Sequence, residues 1–158
     1  MITKAVTAYP VLMSSDKMFS YLGGCSYKNV RIELLLTDIL PNYIPRSCDC
    51  DFCTTHKIGY LSDLLGQLNV ASAASLKTLK QGSNQASFEV CSSCADVVYV
   101  NYKLKGALNV RMLDDQALLP QPQLASPKRL SPQQKVTRWN SLWLSVVVLS
   151  WGQWQRRL

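Results

Sequence analysis

Six cysteines and a single histidine are the residues of this chain best suited to chemistry, and four of the cysteines fall in two pairs of identical spacing. Cys50-x2-Cys53 and Cys91-x2-Cys94 each fit a tight turn that presents two thiolates to one tetrahedral ion. The first pair lies within Cys48-Asp49-Cys50-Asp51-Phe52-Cys53-Thr54-Thr55-His56, so Cys48 and His56 stand as alternative ligands. The spacing predicts one structural zinc ion held by Cys50, Cys53, Cys91 and Cys94, which would close the loop between the pairs. Two plainer readings compete with it: reduced cysteines packed as small hydrophobes, and a disulfide, which needs an oxidising compartment. Cys25 has no partner nearby in sequence, so Cys25→Ser is expected to be mild and Cys91→Ser to unfold the ribbon.

Catalysis is not expected from these residues. The one histidine sits inside the cysteine run, where a role on the metal suits it better than that of a base for a cysteine nucleophile. A catalytic zinc keeps an open position with a general base beside it; Asp49 and Asp51 read instead as solvated loop acids. No glycine loop for phosphate and no hydrolase elbow is present.

Charge separates the chain into two parts. The formal net charge is +7, yet residues 116–158 hold six Lys/Arg and no acid, leaving eleven Lys/Arg against ten Asp/Glu in the first 115. A nearly neutral body makes the overall basicity a poor argument for nucleic acid. Met1 to Leu22 lacks a basic start, an unbroken apolar run and a cleavage site, so no secretory signal is read and reduced thiols are expected. Ser141 to Trp151 is apolar but too short to span a bilayer, so no membrane contact is expected.

The elements that must position the cysteines read mainly as strands. Val6, Tyr9, Val11, Phe19 and Tyr21 suggest short strands and loops before a Gly23-Gly24 turn. Val30 to Leu36 alternates and then turns wholly apolar, as in a strand that buries its far end. Leu61, Leu64, Leu65 and Leu68 have the spacing of one helical face, and a second helical piece is predicted over 72–80. Phe88-Glu89-Val90 is a strand that delivers Cys91. Val97 to Leu104 and Leu108 to Met112 form a hairpin about Lys105-Gly106.

After about residue 115 the composition changes. Pro120, Pro122, Pro127 and Pro132 punctuate a Gln/Ser-rich basic run, and all four tryptophans, Trp139, Trp143, Trp151 and Trp154, follow. Residues 116–158 are expected to be a disordered basic tail, or foreign sequence joined to a genuine domain in an alternative or truncated product.

A zinc knuckle pair whose second member, Cys91-Ser92-Ser93-Cys94, is preceded by Phe88-Glu89-Val90 and followed by a Tyr-rich strand resembles the zinc-bearing oligonucleotide-binding barrel of the replication protein A large-subunit family, and among such barrels the shieldin-type repair factors. The likeness covers about residues 25–115. It implies a mainly β fold with some α, a partial barrel with an inserted zinc ribbon in residues 1–115. It further implies a nuclear, non-enzymatic module that binds single-stranded DNA within a DNA-repair complex. Tyr99 would stack on bases, and Lys103, Lys105 and Arg111 would neutralise the backbone. The chain departs from that family in its longer insert, its extra Cys48 and His56, and its lack of closing strands after Met112. The alternatives are a zinc-stapled protein–protein interaction module without nucleic acid, and a cytoplasmic location.

Overall fold

The computed structural model describes residues 17–157, in which eleven strands build one mixed sheet accompanied by three short helices. The chain is mainly β, as expected, and the sheet resembles part of a barrel that does not close. The expectations for Val6, Tyr9 and Val11 lie outside the described residues.

The first hairpin, β1 (Phe19–Gly24) and β2 (Val30–Leu36), pairs antiparallel with Tyr21 opposite Leu34. Gly23 and Gly24 belong to β1 rather than to a turn. A Cβ on Gly23 would stand 1.9 Å from the Met112 carbonyl oxygen, so this close crossing of backbones requires glycine. β3 (Arg46–Cys48), α1 (Asp51–His56) and β4 (Gly59–Leu61) follow.

The helices predicted over 60–68 and 72–80 are strands β5 (Gln67–Ser72) and β6 (Leu76–Lys80), with β4 before them. The apparent helical stripe is split: Leu61 and Leu68 are buried on two different strands, while Leu64 and Leu65 are exposed on the turn between them. Sheet pairing overrides the local pattern, because β5 is flanked by β2 on one edge and by β11 (Leu144–Leu149) on the other. Asp63 fixes the turn by accepting hydrogen bonds from Thr37 N, Thr37 Oγ1, Tyr43 Oη and Leu65 N.

β7 (Ser87–Cys91), β8 (Val97–Tyr102) and β9 (Lys105–Asn109) form the meander expected around the second cysteine pair. The β8–β9 turn is Lys103-Leu104, not Lys105-Gly106, and both residues have positive φ, 48° and 62°. That backbone matches the twist of a two-residue hairpin. Residues 110–112 are a 3-10 turn instead of a continuing strand.

The region after residue 115 is not a disordered appendage. β10 (Gln123–Ala125) adds parallel to β3, and α2 (Pro132–Leu142) begins with a capping box between Ser131 and Gln134. β11 then enters the middle of the sheet, parallel to β5 and antiparallel to β9, and α3 (Trp151–Arg157) packs beside β5. Leu144, Trp139, Trp143 and Trp154 are buried. The composition of this segment conceals a strand whose partners, β5 and β9, both lie far earlier in sequence. No helix among the described residues is long and apolar enough to cross a membrane.

Apolar side chains collect in two clusters. One contains Tyr21, Cys25, Ile32, Leu68, Cys91 and Leu108; the other contains Cys53, Tyr60, Val90, Val100, Trp139 and Trp143.

Candidate metal centre

The two apolar clusters carry one cysteine group each. Cys48, Cys50 and Cys53 bring their sulfurs within 4.8 Å of one another, and Cys25, Cys91 and Cys94 do the same. The predicted set of Cys50, Cys53, Cys91 and Cys94 is therefore divided between two places. The first pair gains Cys48 and the second gains Cys25. The physical reason lies in the sheet: the end of β3 and the start of α1 face one core, while the end of β7 and the end of β1 meet in the other. Cys25 is fully buried 3.8 Å from Cys91, so it is not the isolated thiol its sequence surroundings suggest. His56, the other alternative ligand, is exposed on α1 and stacks against Phe52, outside both groups. All six cysteines are free thiols.

Both groups suit a soft metal ion. Two thiolates on one tetrahedral zinc at about 2.3 Å stand about 3.8 Å apart, which is the Cys25–Cys91 separation. Around Cys25 the backbone supports this arrangement: Val30 N donates to its sulfur at 3.3 Å, and Lys28, with φ of 64°, folds the β1–β2 turn back on it. Ser26 donates through N and Oγ to Asp96, tying this turn to the one that follows Cys94.

The Cys48 group is built by a strand end running into a helix start. Cys50 is the N-cap of α1, its sulfur accepting from Cys53 N at 3.4 Å, while Cys50 N donates to the sulfur of Cys48 at 3.5 Å. Lys57, in the left-handed conformation, ends the helix after six residues. Without an ion Cys48 and Cys53 share charge unequally: the hydrogen bond with Cys53 holds Cys48 down at about 6, against burial, and the same bond with burial pushes Cys53 up. Tyr60 Oη lies 3.2 Å from the Cys53 sulfur, and burial beside these thiols raises the phenol pKa well above its ordinary value. It stays protonated and available to donate to a thiolate.

This group also lines a cavity of about 310 Å³ that none of the sequence reasoning anticipated. Arg46 from β3 and Lys135 and Arg138 from α2 face it, together with Phe52, Trp139 and Trp143. Burial lowers the pKa of Arg46, and the charge of Arg138 lowers it further. Trp139 and Trp143 stack 4.9 Å apart and shield one wall. The sequence signal was present in the basic and Trp-rich segment, but nothing local tied that segment to the first cysteine run. Among the described residues no fourth Cys, His, Asp or Glu joins either group.

Of the residues expected at a single-strand interface, Tyr99 does not reach the surface. Tyr99 is buried in the core, because Val97 to Val100 are covered on both faces of the sheet. It offers no ring to a base. Lys103 is exposed on the hairpin turn with its ammonium 5.4 Å from the Tyr102 ring; Lys105 is half-buried and Arg111 is exposed.

Comparison with known proteins adds the fold. No family model matches the chain, and no curated protein matches it. A Rhodobacter sphaeroides protein solved as a Northeast Structural Genomics target is similar to it, with a TM-score of 0.52 and 23% identity. The match covers 66% of this chain and 99% of that one, and what it shows is a shared fold.

Proposed function

We propose that this protein is a zinc-thiolate protein with two unlike centres. The Cys25–Cys91–Cys94 group, deep in one core, staples β1 to the β7–β8 turn. The Cys48–Cys50–Cys53 group binds an ion whose remaining position takes a small ligand from the cavity. The observation that carries this is that all three cysteines line a cavity while no fourth protein ligand among the described residues is beside them. Each group supplies three protein ligands and so leaves one position on a tetrahedral ion; what separates them is access, since Cys25 and Cys91 are enclosed in a core whereas the Cys48 group faces the cavity. Zinc there would supply a Lewis acid softened by thiolates. Tyr60 holds the Cys53 sulfur and the aromatic wall excludes bulk water.

Cobalt substitution tests the proposal. Two cobalt ions per chain are expected, both with thiolate charge-transfer bands, and added 2-mercaptoethanol should perturb one centre and leave the other unchanged. Cys53→Ser should remove the responsive one. A spectrum indifferent to thiol refutes an open position.

Single-stranded DNA binding in a repair complex, the function the family resemblance implies, is supported here by the exposed Lys103 and Arg111. Anisotropy titrations of the whole chain with single-stranded and duplex oligonucleotides test it. A single-strand preference that weakens with salt favours it, and no binding at low salt removes it.

A further inference from the structure

We propose that Arg46 and Arg138 form an oxyanion subsite in the cavity, placed to hold a carboxylate, sulfonate or phosphate of a ligand whose other end reaches the Cys48–Cys50–Cys53 centre. The proposal rests on the open metal position argued above.

The two guanidinium groups come from distant parts of the sequence, β3 and α2, yet face one cavity. Arg46 donates to Ser62 Oγ at 2.7 Å, and among the described residues its guanidinium makes no other side-chain hydrogen bond. Neither arginine forms an ion pair among the described residues, where the three ion pairs are Lys28–Asp114, Lys128–Asp49 and Arg157–Glu33. Two unpaired like charges in a partly dry cavity repel one another, and an anion between them reverses that cost. The planar fork of arginine suits oxyanions in particular.

Charge balance sets the size of the demand. Four cations line the cavity, Arg46, Lys128, Lys135 and Arg138, against one carboxylate, Asp51. Asp49, 4.0 Å from Lys128, offsets a second. A divalent ion bound by three thiolates carries one net negative charge and offsets a third. One positive charge remains, which matches a single monoanionic group. Arg138, Lys128 and Lys135 all belong to the segment after residue 115, so the subsite exists only because that segment folds onto the sheet.

The test compares 2-mercaptoethanol with 2-mercaptoethanesulfonate, which differ at the end remote from sulfur, on the full-length cobalt protein. The sulfonate should bind about tenfold more tightly. Arg138→Gln should abolish that preference while leaving 2-mercaptoethanol affinity within about twofold. Arg46→Gln should behave alike, and Arg138, half-buried on α2 and with no hydrogen bond from its side chain among the described residues, provides the variant least apt to disturb folding. Inorganic sulfate, followed by calorimetry, should bind the native protein and fail to bind Arg138→Gln, whether or not thiols reach the metal. Equal affinity for the two thiols, or sulfate binding unchanged in Arg138→Gln, overturns the subsite and leaves the metal proposal standing. Indifference of the cobalt spectrum to both thiols overturns the metal proposal, and sulfate calorimetry then decides the subsite alone.

Discussion

Single side chains here do more than their sequence neighbours suggest. Cys25 stands alone in sequence yet completes a group with Cys91 and Cys94. With zinc in both groups, as proposed, Cys25→Ser should reduce the bound metal from two ions to one and lower thermal stability sharply. Removing one of three thiolates forfeits several of the roughly 10–16 kcal/mol that a structural zinc contributes. Metal analysis and calorimetry read both effects. Asp63 makes a different kind of contribution. Burial alone would raise its pKa, but the hydrogen bonds from Thr37, Tyr43 and Leu65 outweigh it and hold the carboxyl below its ordinary value of 3.8. A depressed carboxylate stabilises the fold above its unfolded pKa, and that contribution is lost as pH falls through the folded value. Asp63→Asn should cost about 1–2 kcal/mol near neutrality, its partial exposure discounted. The difference from the native protein should shrink below about pH 4, as urea titrations at several pH values will show.

At the scale of elements, β11 and the β8–β9 turn make opposite predictions about stability. Leu144 is fully buried where β11 enters between β5 and β9. Leu144→Ala should destabilise by about 2–5 kcal/mol, the cost of a core cavity; a change in a detached tail would cost nothing measurable. Leu104, largely exposed on the turn, has a φ of 62°. Leu104→Gly should stabilise the hairpin by about 1 kcal/mol, because glycine accepts the left-handed conformation without the Cβ penalty. Chemical denaturation measures both. The strands β2, β7 and β8 were legible because β2 begins with an apolar–polar alternation and β7 and β8 are rich in valine and aromatic residues, and those signals are local. The turn position and the 60–80 region were not. Leucines at helical spacing there belong to two strands and a turn, and only the neighbours β2, β7 and β11 show it.

At the scale of the whole molecule, an ion pair ties α3 to the first hairpin. Arg157 pairs with Glu33, a carboxylate only 5% exposed that also accepts from Ser20 Oγ at 3.0 Å and Asn69 Nδ2 at 2.9 Å. Arg157→Ala should destabilise by about 1–3 kcal/mol, less than a fully enclosed pair because Arg157 is 41% exposed. Removing residues 116–158 should lose the fold outright, since it extracts a strand from between two others; circular dichroism of that fragment is the direct check. By itself the sequence determined that the chain is rich in strands, that its cysteines are spaced for a soft metal, and that the last third is compositionally distinct. These are properties of residue type and short spacing, and they survive any fold. Only the tertiary structure decided which cysteines meet, that the basic segment is a strand and a wall rather than a tail, and that a cavity opens beside one cysteine group. Such facts depend on contacts between residues far apart in the chain, and no local pattern of side chains encodes which distant partner a strand edge or a thiol will find.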